Sequence, residues 1–340
     1  MLNERIKTKN NKENLRNMIL PFIERLSKKP GVLAIVLLGG ISNNNDRNHT
    51  DEFSDIDVGV IFDDQKYSYL PNYEFYLYDG DKPIEVNVHQ MLLSIEEKEI
   101  WDDGKKEAYS KCEYLYEKND LVRNFIDDKI KITDEYRKRR LALLIGQYKW
   151  YVEINPLRAI KRGLYANGID LLNKGIELFV EALYLYNYQY LPHCKWRIDT
   201  LLDLKYIPEN LKQKICDALL TIEVSENGIL IKRDKVIILF KDLISKITED
   251  YQMNVDELYE YACKNSYSDR QLLKKTYADK LIEKIGKNYD DNKKRLISSF
   301  VNYYIIGSDQ EILKFSSHDV EEKYKNVLDE IKRSLCYYEK

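Results

Sequence analysis

An apolar run at residues 32–38 that ends in two glycines constrains the fold of this chain more than any other feature. The run contains β-branched and aliphatic residues and has the length of a strand, so it predicts a buried β-strand. Gly39 and Gly40 follow directly. Because glycine has no side chain, backbone N–H groups there can approach a bound anion closely. The end of this strand is therefore a candidate anion site.

A second predicted strand, at 55–62, begins with two acidic residues after a polar loop. Side chains repeat every two residues along a strand, so Asp55 and Asp57 share one face while their aliphatic neighbours face the core. Two carboxylates so close together can share divalent cations. The alternative is a solvated strand edge, but the fixed order of glycines, spacer and acids favours a metal site.

A third carboxylate is expected on one of two further strands, at 73–78 and 84–90, which are separated by turn-forming residues at 79–82. Glu85 has apolar neighbours, and its side chain is expected to point away from the core. Glu74 has the same parity and the same apolar flanks. We favour Glu85 as the third acid and keep Glu74 as the alternative. The sheet is expected to end with this hairpin.

The remaining sequence has a helical pattern. An amphipathic helix is predicted over 12–29, with Pro21 as a possible kink. From about residue 92 onward the chain is helical in texture, and an apolar stripe over 169–186 marks a helix that packs against other helices. The expected fold class is α+β: a small mixed β-sheet with flanking helices over 1–130, followed by a larger all-α domain over 131–340.

Composition excludes several classes of protein. No segment approaches the roughly 20 apolar residues that cross a bilayer, and no secretory signal is found, so we expect a cytoplasmic protein that does not enter a membrane. The net charge is −3, from 54 basic and 57 acidic residues, which makes nucleic acid an unexpected partner. Five scattered cysteines favour reduced, mostly buried thiols. The four histidines (His49, His89, His193 and His318) are expected at the surface or in loops rather than as ligands.

Two sequence segments carry a family resemblance. LGGIS at 38–42 and DEFSDIDV at 51–58 resemble the signature of the DNA polymerase β-like nucleotidyltransferase superfamily: a hydrophobic residue, Gly, then Gly or Ser, a spacer of roughly ten residues, and Asp-hydrophobic-Asp. The chain looks most like bacterial members with a helical C-terminal half, which include antibiotic-modifying adenylyltransferases. At the second glycine position of the signature it has Gly40 rather than Ser, and its loop at 43–50 is slightly longer than usual.

The resemblance implies a reaction and a set of ligands. Two Mg²⁺ ions held by Asp55, Asp57 and Glu85 would support transfer of a nucleoside monophosphate from ATP or another NTP. The acceptor would be a hydroxyl of a small molecule such as an antibiotic, with release of pyrophosphate. The implied nucleotide contacts are Gly39, Gly40, Ser42, Ser54 and a cation from the helical half. One alternative is an enzyme that nucleotidylates a partner protein. The other is a regulatory module that binds a nucleotide without turnover.

The segment YLPHCKW at 190–196 resembles stretches in the helical halves of related bacterial nucleotidyltransferases. Its proline is expected to end the striped helix and to restart another with Lys195 in its first turn. Lys195 is the first candidate to hold the β- or γ-phosphate, and the alternative is a solvated lysine at a structural corner. Arg158, Lys161 and Arg162, which precede this segment, are competing candidates for phosphate contacts. The basic cluster at 137–140 is expected on an exposed helix face. Residues 230–340 are expected to be scaffolding, with a wall of the acceptor site or a homodimer surface as the alternatives.

Overall fold

The structure is a computed structural model of the 340-residue chain, and it describes residues 8–45, 50–63 and 71–265. Within these ranges, residues 8–93 and 103–265 form one compact unit, and residues 94–102 are grouped separately from it. The architecture is a mixed β-sheet followed by a helical region. The predicted α+β class is therefore confirmed.

The sheet has five strands in the spatial order β3-β4-β2-β1-β5. Strand β4 runs parallel to β2, whereas the other neighbouring pairs are antiparallel. The four strands predicted from sequence are all present, with ends that differ by a few residues at most. The strands are β1 (Val32–Leu37), β2 (Ile56–Phe62), β3 (Tyr73–Asp79), β4 (Lys82–Leu92) and β5 (Glu113–Glu117).

The fifth strand corrects the expectation that the sheet ends with the β3–β4 hairpin. Strand β5 pairs antiparallel with β1, with Leu37 opposite Glu113 and Ala34 opposite Glu117. It is short, it begins and ends with glutamate, and all its side chains are half-buried. An edge strand of this kind shows no alternation of apolar and polar residues, which is the signal used to find strands in sequence.

One helix, α1 (Lys12–Ser27), packs on the sheet. Its buried residues Leu15, Ile19, Ile23 and Leu26 form one apolar cluster with side chains of β1, β2 and β4. The helix matches the predicted segment 12–29 and continues through Pro21. The sheet and α1 therefore form the first hydrophobic core of the compact unit.

The remaining helices follow the fourth strand. None of the helices in the described ranges has both the length and the apolar character needed to cross a membrane. The helices are α2 (Leu93–Lys98), α3 (Asp103–Ser110), α4 (Leu121–Lys129), α5 (Asp134–Tyr148), a π-helical turn (Lys149–Ile154), α6 (Asn155–Lys161), α7 (Tyr165–Tyr186), a 3-10 helix (Asp199–Asp203), α8 (Leu211–Leu219), α9 (Glu226–Tyr251) and α10 (Val255–Asn265).

Helix α7 lies at the centre of a second hydrophobic core, which draws its buried residues from 141–262. The stripe predicted over 169–186 is buried in this core, as expected for a packing surface. The boundary predicted at residues 130 and 131 falls between the two cores, whose buried residues come from 15–92 and 141–262. Residues 266–340 lie outside the described ranges, so the assignment of two domains stays a prediction.

The basic cluster at 137–140 was expected to be exposed, and this expectation is wrong. Arg137 on α5 is only 7% exposed, and its guanidinium donates to the backbone carbonyl of Tyr186 at 3.0 Å. Arg140 donates to Glu181 at 2.9 Å between Nε and Oε1. These partners lie on α7, more than 40 residues away along the chain. Local charge pattern does not reveal such distant partners.

The three cysteines whose side chains are described are free thiols, as expected. Cys112 is buried, Cys216 is half-buried and Cys194 is exposed. Of these three thiols, only Cys112 is buried as expected.

Candidate active site

The glycines after β1 form a tight turn against the second aspartate. The Leu38 amide donates to the Asp57 carbonyl at 3.0 Å, and Gly39–Ile41 forms a single 3-10 turn. Gly39 has φ +60°, and a Cβ placed there would lie 3.3 Å from Asp57 Oδ2. Both the left-handed backbone and the close approach favour glycine. Glycine at this position therefore allows the turn to lie directly beside a carboxylate.

The amide groups of the turn are available to a ligand. Within the described ranges, the N–H groups of Gly39 and Gly40 have no hydrogen-bond acceptor, and both residues line a cleft. Successive unpaired backbone N–H groups form a site that attracts anions. The end of β1 thus carries two amide donors beside the cleft, and the anion site expected there stays a prediction.

Asp55 and Asp57 line the same cleft. Asp57 is the second residue of β2, and its side chain is 31% exposed. Asp55 lies just before the strand and is exposed. In the described part of the chain, the Asp55 carboxylate has no hydrogen-bond or ion-pair partner. Asp55 is exposed and Asp57 is partly exposed, so both carboxylates are accessible to a cation from the cleft.

His89 on β4 is a cleft residue that sequence analysis missed. Its Nε2 lies 3.5 Å from Asp57 Oδ1, and it lines the same cleft. His89 was expected at the surface or in a loop rather than as a ligand. It lies on strand β4 with its side chain 44% exposed, so its exposure agrees with the expectation, whereas its place in the cleft was not foreseen. The parallel register pairs Asp57 with Asn87, so His89 lies on the same face of the sheet. In the sequence, residues 85, 87 and 89 share one face of β4, because strand side chains repeat every two residues. The parallel pairing with β2, which brings that face beside Asp57, was not predicted.

The two candidate third carboxylates share the face of Asp57 but do not line the cleft. The β2–β4 register, continued one step past its last pair, places Glu85 beside Asp55. Glu74 lies opposite Asn87 on β3, two strands from Asp57 and thus roughly 10 Å away. Among the described residues, no group of three or more His, Cys, Asp or Glu side chains is close enough to hold a metal ion. The expected triad is not assembled, and the choice of third acid stays a prediction.

The cleft has a volume of about 470 Å³. It lies entirely within the compact unit, and its lining comes from the glycine turn, β2, β4, α3 and the segment after α7. Helix α3 approaches the sheet closely because Gly59 has no side chain: a Cβ there would lie 2.8 Å from Tyr109 Oη. The residues that line the cleft are Leu38, Gly39, Gly40, Asn45, Asp55, Asp57, His89, Gly104, Glu107, Ala108, Lys111, Leu191, Pro192, His193, Lys195, Trp196 and Thr200.

Two lysines bring positive charge to the cleft. Lys195 was predicted as a phosphate contact, whereas Lys111, just after α3, was not. Neither ammonium group has a carboxylate partner among the residues that the structure describes. The competing candidates Arg158, Lys161 and Arg162 do not line this cleft. Among the described residues, the cleft therefore combines the Asp55 carboxylate without a partner, the Asp57 carboxylate near His89, two amide donors without acceptors and two ammonium groups without carboxylate partners.

The segment around Lys195 differs from its predicted conformation. Residues 194–198 form a turn, followed by the 3-10 helix Asp199–Asp203, so the expected α-helix beginning at Lys195 is wrong. The Arg197 carbonyl accepts a hydrogen bond from the Tyr184 hydroxyl on α7 at 3.1 Å, and the Leu201 amide donates to Ile198 instead. This bond to α7 replaces a helical one and fixes the segment that carries Lys195.

Neither serine expected to contact the nucleotide lines the cleft. Ser42 is fully buried, and its hydroxyl donates to the Lys111 carbonyl at 2.6 Å. Ser54 exchanges hydrogen bonds with Asp51, whose amide donates to Ser54 Oγ at 3.0 Å. Both serines shape the backbone of the loop between β1 and β2 and are not positioned as phosphate contacts.

A charged pair holds the glycine turn against α1 and β5. Arg16 on α1 forms two hydrogen bonds with Glu113 on β5, at 2.6 and 2.8 Å. Glu113 also accepts a hydrogen bond from the Asn43 amide at 2.7 Å. Burial raises the pKa of Glu113, but the hydrogen bonds from Arg16 and Asn43 and the charge of Arg16 outweigh it, so the pKa of this carboxyl is lowered.

This lowered pKa predicts a pH dependence of stability. A carboxyl whose pKa is depressed by folding stabilises the protein above its unfolded pKa of about 4.3, and this contribution is lost as the pH falls through the folded value. In urea titrations at a series of pH values, we expect the stability difference between wild type and Glu113→Gln to be constant near neutral pH and to shrink in acid. A difference that stays constant or grows in acid would contradict the assignment.

In comparisons with known proteins, no family model and no curated protein matches the chain. Among the solved structures that match is a nucleotidyltransferase-like protein from Exiguobacterium sibiricum 255-15. It shares 12% sequence identity, with a TM-score of 0.39, over 69% of this chain and 77% of that protein. At this level of similarity the match carries no functional argument.

Proposed function

We propose that this chain is a nucleotidyltransferase that moves a nucleoside monophosphate, most simply AMP from ATP, to a hydroxyl of a small-molecule acceptor with release of pyrophosphate. The observation that carries the proposal is the juxtaposition of two free amide donors, at Gly39 and Gly40, with the carboxylates of Asp55 and Asp57 in one cleft. Donors for phosphate oxygens and ligands for a divalent cation are thus neighbours.

The donor set fits Mg²⁺. This ion is commonly bound by one or two carboxylates and completes its shell with water and substrate phosphates. Asp55 and Asp57 would supply the carboxylates, in keeping with the two-ion site implied by the sequence resemblance. When bound, the metal would neutralise charge on the α-phosphate and on the departing pyrophosphate. Glu85, beside Asp55 in the register, is our choice for the third acid.

The protein's own groups hold the substrates in place. The Gly39 and Gly40 amides would bind phosphate oxygens, and the ammonium groups of Lys195 and Lys111 would hold the β- and γ-phosphates. The acceptor oxygen would form a bond to the α-phosphorus as the bond to the pyrophosphate oxygen breaks, and Glu85 would take the hydroxyl proton. Positioning and charge neutralisation supply most of the catalysis in reactions of this kind.

The surroundings of the cleft support a small organic acceptor. Leu191, Pro192 and Trp196 provide apolar lining, which suits a compact organic molecule. The neighbouring face of β3 and β4 carries the exposed acids Glu74 and Glu85. A cationic acceptor such as an amine-bearing antibiotic would be attracted to this face.

The proposal is tested by incubating the purified chain with each labelled NTP, Mg²⁺ and a panel of hydroxylated, amine-bearing antibiotics. We expect pyrophosphate release that depends on the acceptor. Label found on a protein would instead support protein nucleotidylation. Nucleotide binding without pyrophosphate release under any condition would show that the chain does not carry out transfer.

The same assay distinguishes the two candidates for the third acid. We expect Glu85→Gln to lower kcat by about 10²-fold or more, as found when a catalytic acid or base is removed. Glu74→Gln, on the same face but two strands from Asp57, is expected to retain most activity. Equal losses in both variants, or a loss confined to Glu74→Gln, would overturn the choice of Glu85.

Lys195 is expected to act on nucleotide affinity. We predict that Lys195→Ala raises the KM for the NTP by about tenfold, equivalent to about 1.4 kcal/mol, with a small effect on thermal stability. Lys161→Ala is the matched control, because Lys161 is exposed on α6 and outside the cleft. Steady-state kinetics on both variants decide the point: equal KM values would argue that Lys195 is only a surface residue.

A further inference from the structure

Three charged residues that do not line the cleft contact the glycine turn or the two residues that follow it, Ser42 and Asn43. Lys12 Nζ donates to the Ser42 carbonyl at 2.7 Å, and Arg16 Nη1 donates to the Ile41 carbonyl at 3.1 Å. Arg16 also binds Glu113 through both terminal nitrogens. Lys12, Arg16 and Glu113 form a unit that we call the turn clamp. It connects α1, the glycine turn and β5.

Burying the charged groups of the turn clamp has a free-energy cost, so the clamp is an inefficient way to stabilise the fold. Lys12 is only 7% exposed, and the side chains of Arg16 and Glu113 are 19% and 18% exposed. Removing charges from water costs free energy that their mutual attraction often fails to recover. Apolar packing would stabilise α1 against the sheet at lower cost. The clamp is therefore better explained by the conformation that it imposes on the turn.

In that conformation, carbonyl groups of residues 39–42 are bonded to side chains, whereas two amide groups have no acceptor among the described residues. The Gly39 carbonyl accepts from the Asn45 side chain at 2.9 Å, while the Ile41 and Ser42 carbonyls accept from Arg16 and Lys12. Three carbonyl oxygens are thus bonded to side-chain donors. The Gly39 amide, like its neighbour at 40, has no acceptor within the described ranges and lines the cleft.

An anion site needs this arrangement, because carbonyl oxygens near a phosphate would repel it whereas amide N–H groups bind it. A short turn rich in glycine has many accessible conformations, and only some of them direct its amides toward one point. Side chains that bond the carbonyls restrict this freedom before the ligand arrives. The reduced ordering cost then appears as tighter binding.

We infer that Lys12, Arg16 and Glu113 are positioning residues that hold the carbonyls of Ile41 and Ser42 on the α1 side, so that the glycine amides remain open to a polyphosphate. The inference rests on the proposed function only in naming a triphosphate as the anion. None of the three residues is assigned a role in the chemical step.

The test measures the turn and its anion affinity separately from transfer. Arg16→Met, Arg16→Lys and Glu113→Gln are compared with the control Lys28→Met. Lys28 follows the last residue of α1 and pairs with Glu24, and both side chains are 71% exposed. Hydrogen exchange is followed for amides of residues 39–45, and the affinity for inorganic tripolyphosphate with Mg²⁺ is measured on the full chain. Thermal melting temperatures are recorded for each variant.

We expect Arg16→Met to weaken tripolyphosphate binding 10- to 100-fold, the range seen when partners behind direct ligands are removed, and to speed exchange in the turn. Arg16→Lys should recover part of this loss, since lysine keeps the charge but lacks the fork that binds Glu113 and the Ile41 carbonyl together. Lys28→Met should match wild type. The clamp inference would be overturned by wild-type exchange and affinity in Arg16→Met, or by an affinity loss explained entirely by unfolding.

The outcomes for the clamp and for the proposed function are distinguishable. If the wild-type chain binds tripolyphosphate and the clamp variants do not, but no acceptor is modified, the proposed function fails and the clamp inference stands. If transfer occurs and the clamp variants bind tripolyphosphate as wild type does, the clamp inference fails and the proposed function stands. Absence of tripolyphosphate binding by wild type would contradict the clamp's role in an anion site.

Discussion

Asp57→Asn is expected to abolish nucleotidyl transfer, lowering kcat by about 10³-fold or more, because it removes a negative charge from the proposed metal site. The stability of the protein should change by only about 0.5 kcal/mol or less, as is usual for a partly exposed substitution. Asparagine has nearly the same shape, and among the described residues the only hydrogen-bond or ion-pair partner of the carboxylate is His89, at 3.5 Å. Transfer assays and urea denaturation of the same preparation separate the two effects.

The control for this variant is Asp81→Asn. Asp81 lies in the exposed β3–β4 turn and has no side-chain partner among the residues that the structure describes. It should retain wild-type activity. Transfer that survives in Asp57→Asn would show that the metal assignment is wrong, whatever the identity of the third acid.

Gly39→Ala should lose at least about 10² in kcat, since small displacements at a reacting centre have effects of this size. The added Cβ would lie 3.3 Å from Asp57 Oδ2, so either the turn or the carboxylate has to move. The positive φ of +60° adds a cost of about 1–2 kcal/mol in stability for a residue with a side chain. Both activity and stability are therefore expected to fall.

Gly80→Ala separates these two contributions. Gly80 has φ +62°, close to that of Gly39, but a Cβ there would have no heavy atom within 4 Å. The two variants should lose similar stability in urea denaturation, while only Gly39→Ala loses transfer. Equal activity in both variants would show that the contact between the turn and Asp57 has no role in catalysis.

The order of strand, glycines and acids was predictable because it is local. Glycine after an apolar run, and acids with a period of two, are patterns in which neighbours along the chain become neighbours in space. The turn at Gly39 and the shared cleft of Asp55 and Asp57 agree with that analysis. The apolar stripe of α7 was predictable for the same reason, since its period matches the helix.

Features that depend on distant pairing were missed. The place of His89 beside Asp57 follows from the parallel register of β2 and β4, which local patterns do not specify. Lys111 reaches the cleft because α3 packs closely over Gly59. The burial of Ser42 likewise depends on a carbonyl that comes 69 residues later. Each of these positions is fixed by tertiary contacts and has no signature of its own in sequence.

The position of β5 sets a lower limit on the size of any functional fragment. This strand follows α3 in the chain yet completes the sheet next to β1. A polypeptide cut after β4 would lose Glu113 and would leave β1 with an open row of backbone groups, which invites aggregation. A minimal soluble version that still captures polyphosphate therefore has to extend beyond residue 117, even though every acid proposed for the chemistry lies before residue 90.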